Sequence, residues 1–301
     1  MRYKSRVTIA QYLGVDLAWR ESSHGRAANE TGVASIDSTG QILDAGWTRG
    51  VEETIAWVNG AALETPTLLF VDAPLVVTNT AGQRLCETEV GQRYGRWKVS
   101  ANSTNTGSVR LAGVVFRDRL ESVGWRYSDG GAGPPVTGRV LSECYPYTTL
   151  VGASELGYDT ERPRYKRPPR GMPVAQWRPK RAAACDELVR RLSQLAIADP
   201  PLRLATHPVT QRLIEEPSPI DDPAYKHRED LIDALLCAWT AALWARHGLA
   251  RCQVLGLHSS LSSGTAATII APARPEQDEV RLQEERLFAA DAEVRTEGAV
   301  E

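Results

Sequence analysis

Tyr12-Leu13-Gly14-Val15-Asp16-Leu17-Ala18-Trp19 is an apolar run broken by one carboxylate, Asp16. An apolar run this short reads as a buried strand. Downstream, 31–36 (Thr-Gly-Val-Ala-Ser-Ile) and 41–47 (Gln-Ile-Leu-Asp-Ala-Gly-Trp) read as two further strands. The link between them, Asp37-Ser38-Thr39-Gly40, is turn chemistry, so the pair is expected to form a hairpin. Residues 51–62 place Ile55, Val58 and Ala62 on one helical face. Residues 67–72, Thr-Leu-Leu-Phe-Val-Asp, read as a second fully buried strand, stopped by Pro74. Three hairpin-linked strands followed by a helical crossover to a fourth predict an α/β domain with a mixed sheet.

Further along, a helix is expected over 82–94, a mobile polar loop over 95–109 and a helix over 110–122. A strand over 138–144 follows, closed by Pro146. Helices are expected over about 181–197 and 222–247, and late strands over 252–257 and 266–271. One domain over 10–272 is predicted, with insertions at about 79–135 and 155–181. The polar, acidic tail over 273–301 is expected to be flexible.

The 301 residues carry 42% hydrophobic and 24% charged residues, enough for a substantial core, with a net charge of −2. No global electrostatic case for nucleic acid or membrane exists, so any such case rests on local clustering. The five cysteines form no Cys-x-x-Cys pattern and sit mostly among apolar neighbours. They read as reduced, buried thiols of a cytoplasmic protein with no zinc cage. No apolar run reaches membrane-spanning length, and no secretory h-region follows the basic first residues.

Three carboxylates sit where charge is costly. Besides Asp16, Asp72 ends Leu68-Leu69-Phe70-Val71-Asp72, and Asp233 is the one ionisable side chain between Leu231 and Ala245. A buried carboxylate costs several kcal/mol unless it is compensated. Three of them at strand ends and on a buried helix suggest a shared cation. Asp230 is three residues before Asp233 and therefore lies on the same side of a helix. Glu143 lies near the end of the 138–144 strand. A donor set made only of carboxylate oxygen suits Mg²⁺ or Mn²⁺. The summed charge exceeds one divalent ion, so two ions are expected, roughly 3.5–4 Å apart. Such a pair serves in-line displacement at phosphorus, one ion activating water and the other stabilising the leaving oxygen. Asp230 also reads as part of a solvated first turn, Glu143 as a carboxylate facing water, and His227 as a surface residue.

Gly14-Val15-Asp16-Leu17-Ala18 resembles the first-strand motif of the RNase H-like superfamily. Val71-Asp72-Ala73-Pro74-Leu75, Glu143-Cys144-Tyr145-Pro146 and His227-Arg228-Glu229-Asp230-Leu231-Ile232-Asp233-Ala234-Leu235 resemble its later motifs. They follow in the order of a domain-of-unknown-function family of predicted RNase H-like nucleases. The Asp-x-x-Asp-Ala-Leu helix also looks like the last catalytic helix of Holliday-junction resolvases. The resemblance implies three antiparallel strands, a helix, a parallel strand, and then further strands and helices. It also implies Asp16, Asp72, Glu143 and Asp233 as catalytic metal ligands, with Asp230 as an additional one.

Residues 161–181 concentrate Arg162, Arg164, Lys166, Arg167, Arg170, Arg178, Lys180 and Arg181 among prolines, against one acid, Glu161. Arg164, Lys166, Arg167, Arg170 and Lys180 are candidates for gripping phosphates, and Tyr165 and Trp177 for stacking on bases. A solvated, proline-stiffened loop is the competing reading. The glycine-rich stretch over 130–138 lacks Gly-Lys-Ser/Thr and is no P-loop.

The combined expectation is a nuclease that hydrolyses DNA or RNA phosphodiesters at a two-metal carboxylate site. Its rivals are a non-catalytic nucleic-acid-binding protein and a phosphotransferase of the actin-like or sugar-kinase fold. The latter needs a duplicated domain and a second phosphate turn, and neither is evident. No oligomeric state is read from the sequence.

Overall fold

Alternation along Leu13, Val15 and Tyr12 sends side chains to both faces of a first strand, β1 (Gln11–Asp16). The computed structural model describes residues 9–18, 29–62, 66–109, 111–169, 171–257 and 265–277. The strand expected over 12–19 therefore ends at Asp16, and Trp19 lies outside the described residues.

The hairpin follows as β2 (Glu30–Asp37) and β3 (Ile42–Arg49). Its turn is held by Asp37 Oδ1, which accepts from the Thr39 and Gln41 backbone N–H groups at 2.8 and 3.0 Å. Gly40 takes φ +77°, a conformation that a side chain would strain. Helix α1 (Gly50–Ala61) buries Val51, Thr54 and Val58 and returns the chain to β4 (Thr67–Val71), buried throughout.

Helices α2 (Leu85–Tyr94) and α3 (Ala112–Ser122) come next, followed by β5 (Arg126–Tyr127) and β6 (Arg139–Glu143). The six strands are ordered β3-β2-β1-β4-β6-β5. β1 pairs with β2, and β2 with β3, in antiparallel fashion. β4 joins β1, β6 joins β4 and β5 joins β6, all in parallel. This is the mixed α/β sheet that the strand order predicts.

Short α4 (Pro146–Gly152) is buried at every position. Helix α5 (Val174–Gln194) begins well before the expected start near 181. Trp177, Arg181, Cys185, Leu188 and Leu192 form one buried stripe, and this packing carries the helix through Pro179. After α6 (Pro208–Glu215) comes α7 (Asp222–His247), buried almost without interruption from Arg228 to Trp244. A hairpin of β7 (Cys252–Leu255) and β8 (Ile269–Pro272) forms a second, two-stranded sheet. Arg274 Nε and Gln277 Nε2 then donate to the Val151 and Arg93 carbonyls at 2.7 and 3.0 Å. The tail expected to be flexible lies outside the described residues beyond 277.

The sheet separates two cores. Leu13, Val15, Leu69, Val71 and Leu141 face α1 and α3, whereas Tyr12, Leu68, Phe70 and Val140 face α7. Helix α7 rests on the strands backbone to backbone. A Cβ added at Gly14 would lie 2.0 Å from the Ala234 carbonyl oxygen, and one at Gly32 would lie 2.0 Å from that of Asp230. All five cysteines are free and buried, as expected. Among the described residues no helix is long and apolar enough to cross a membrane.

Candidate metal centre

Parallel pairing ends β1 and β4 side by side, because the Asp72 N–H donates to the Val15 carbonyl at 2.8 Å. Asp16 and Asp72 therefore emerge together from the carboxyl edge of the sheet, where α/β folds place their ligands. The glycine seats at Gly14 and Gly32 bring α7 down onto the same edge and supply Asp230 and Asp233. One carboxylate oxygen from each of Asp16, Asp72 and Asp233 lies within 4.8 Å of the other two. These side chains form the floor of a cleft of about 560 Å³. Asp16, Asp72 and Asp230 line it directly; Asp233, 0% exposed, sits behind.

The floor divides into two halves. In the inner half, Asp233 Oδ1 accepts from the Tyr165 hydroxyl at 2.6 Å, and its Oδ2 is ion-paired with Lys166 Nζ. The Lys166 ammonium lies 5.1 and 5.5 Å from the Tyr147 and Tyr165 ring centroids. In the outer half, Lys226 Nζ pairs with Asp230 Oδ1 and, at 2.9 Å, with Glu229 Oε1. Asp230 and Asp16 are neighbouring acids whose charges act on one another. Asp230 Oδ2 is buried with no hydrogen-bond donor among the described residues.

Burial, reinforced by the charge of Asp233, lifts the Asp16 carboxyl to about 6. Burial and the Asp16 charge lift Asp72 well above the carboxylate range and Asp230 to about 9. For Lys166, burial favours the neutral amine, but Asp233, Asp16, Glu229 and Asp72 outweigh it and hold the group well above an ordinary lysine. Such mutual displacement marks carboxylates held together against repulsion.

Glu143 does not share this floor. Arg84 forks onto it, Nη1 to Oε2 at 2.8 Å and Nη2 to Oε1 at 2.6 Å, and the Leu75 N–H donates to Oε2 at 3.0 Å. The same guanidinium reaches Glu87 and the Val76 carbonyl. Glu143 instead lines a small neighbouring chamber that Asp72 borders from the other side. In sequence, Arg84 reads only as a charged helix residue, and Lys226 and Glu229 only as a solvated first turn. The spacing Lys226-x-x-Glu229-Asp230 is the signal that could have found the outer half.

The basic segment is dispersed. Arg162 lies over the Tyr147 ring at 4.3 Å, and with Arg167 and Arg181 it rims the cleft. Arg164 pairs with Glu161, Lys180 is exposed, and Arg170 lies outside the described residues. Trp177 and Tyr165 are corrections to the expectation of base-stacking surfaces: they are 4% and 0% exposed, packed into the core by α5 and α7. His227 has its expected surface place, stacked on Trp47 with ring centroids 3.3 Å apart and bonded to Glu30 at 2.8 Å.

A family model described as "Protein of unknown function (DUF429)" matches residues 14–254. No curated protein and no solved structure matches the chain.

Proposed function

Because the chain belongs to this family of unknown function, we propose its activity from the site itself: divalent-cation-dependent hydrolysis of phosphodiester bonds in DNA or RNA, on an RNase H-like sheet. The observation that carries this reading is the convergence of Asp16, Asp72 and Asp233 from two strand ends and a buried helix, with their oxygens within 4.8 Å. The three antiparallel strands followed by parallel ones support the architecture.

The residues fit a hard cation. Every donor is a carboxylate oxygen, as Mg²⁺ or Mn²⁺ prefers, and the buried Asp230 Oδ2 lacks a donor of its own. Asp16, Asp72 and Asp230 would hold it from the cleft, with Asp233 behind them. When bound, the ion supplies acidity to a water and charge neutralisation at phosphorus. The chain's own groups do the rest. Arg162 and Arg167, which line the cleft, would draw a phosphate inward over an acidic floor that would otherwise repel it. Asp16 and Asp230 would have to be deprotonated to hold the ion, since metal ligands bind as carboxylates. Tyr165 orients Asp233 through its hydroxyl.

Calorimetric titration with Mn²⁺, paired with cleavage of single- and double-stranded DNA and RNA, tests this reading. Asp16→Asn and Asp72→Asn should each weaken Mn²⁺ binding at least tenfold and abolish cleavage while the protein stays folded. Wild-type Mn²⁺ affinity in both variants overturns the proposal. Metal-independent nucleic-acid binding without cleavage would instead favour the non-catalytic binding protein.

A further inference from the structure

Four or five clustered carboxylates suggest two metal ions when only the acids are counted. The structure adds two ammonium groups to that count. Lys226 sets one positive charge against the two carboxylates of the outer half, Asp230 and Glu229. Lys166 neutralises the inner half through Asp233. Of the three aspartates whose oxygens converge, Asp16 and Asp72 are the two that line the cleft and could meet an incoming ion.

Lys166 is also placed as a fixed cation rather than a passing surface lysine. Its side chain is only 16% exposed, and its ammonium is held near two aromatic rings. The preceding residue anchors it twice. Tyr165 is 0% exposed, its hydroxyl donates to Asp233, and its carbonyl accepts from the Tyr225 hydroxyl at 2.5 Å. Lys166 lines the cleft and Asp233 does not, so the ammonium stands between Asp233 and anything arriving from solvent. A second ion bound to Asp233 would have to take the place that Lys166 Nζ holds.

We propose that this centre takes one divalent ion, on the Asp16–Asp72 side, and that Lys166 is its built-in second cation, occupying the position beside Asp233 that a second ion would fill. The proposal rests on the cation-dependent reading above and replaces its expected second ion with a side chain. Lys166 thereby positions Asp233 and presents a fixed positive charge to a bound phosphate, without exchanging with solvent.

Equilibrium dialysis of the full chain with Mn²⁺, with electron paramagnetic resonance of the bound ions, tests it without reference to activity. The wild-type protein should bind one Mn²⁺ per chain with the spectrum of an isolated ion. Lys166→Met should bind two, with the spin-coupled spectrum of a close pair. Two coupled ions in the wild type would overturn this inference and leave the cation-dependent reading standing. No bound ion in the wild type would overturn both. One ion with unchanged affinity in Lys166→Met would also overturn it, since the ammonium would then be blocking nothing. Should Lys166→Met not fold, the wild-type stoichiometry and spectrum still decide.

Discussion

Two acidic corners lie side by side at the carboxyl edge of the sheet, and they are built on opposite terms. Glu143 ends β6 beside Val71, and Asp72 follows directly on β4. Both are buried. At Glu143 one guanidinium and a backbone N–H satisfy both carboxylate oxygens. At Asp72 the near neighbours include two further acids, Asp16 and Asp233, as well as the Lys166 ammonium. Buried charge alone therefore does not mark a functional group. What separates a girder from a site is whether the carboxylate is gripped by a dedicated cation or pressed against other acids.

Removing the cation from the completed corner should give the largest effect. Arg84→Ala leaves Glu143 and Glu87 buried without their partner and should cost about 3–5 kcal/mol in urea unfolding. A cost under about 1 kcal/mol would erase the distinction between the corners. In the corner of clustered acids the sign should reverse. Asp72→Asn removes an acid that burial and the Asp16 charge push towards its protonated form, and should stabilise the metal-free protein by about 1–2 kcal/mol while weakening Mn²⁺ binding at least tenfold. Destabilisation there would mean that Asp72 belongs with Glu143.

The pH dependence sharpens the same contrast. The Asp16 carboxyl rises from an ordinary 3.8 to about 6 on folding, so the native state keeps a proton that the unfolded chain has lost. Stability of the metal-free protein should fall by about 2–3 kcal/mol from Asp16 alone as pH rises from 4 to 7, with Asp230, lifted to about 9, adding in the same direction, and saturating Mn²⁺ should flatten or invert that slope. Thermal melts across this range, with and without Mn²⁺, would show it. The smallest change is expected at His227→Ala. This surface pair with Glu30 should alter stability by under about 1 kcal/mol and leave Mn²⁺ affinity untouched.

The strands and the long helix were legible because burial on both faces leaves unbroken apolar runs in β1, β4 and α7. The hairpin was legible because Asp37 and Gly40 are where a tight turn needs them. Asp16, Asp72 and Asp233 stood out for one reason, a charge in an apolar setting, and the structure brings all three together. Glu143 joined them only through its strand-end position and the family resemblance; its partner, Arg84, lies far off in the chain, and nothing local announces the pairing. Lys166 and Trp177 were hidden by their setting. In a segment so rich in arginine, lysine and proline, composition favours a solvated loop, and only the packing of α5 and α7 turns these two residues inward.

The glycine seats beneath α7 carry a consequence for how the protein would respond to its ligand. At Gly14 and Gly32 no side chain separates the helix from β1 and β2, so backbone meets backbone close to Asp16, Asp230 and Asp233. An ion held by Asp16 and Asp72 of the sheet together with Asp230 of the helix would therefore clamp helix and sheet as a single body. Its binding energy would be spread along the whole helix to Trp244 rather than absorbed at the cleft. Slowed amide exchange at the distant end of α7 would register occupancy as faithfully as any change beside the ion.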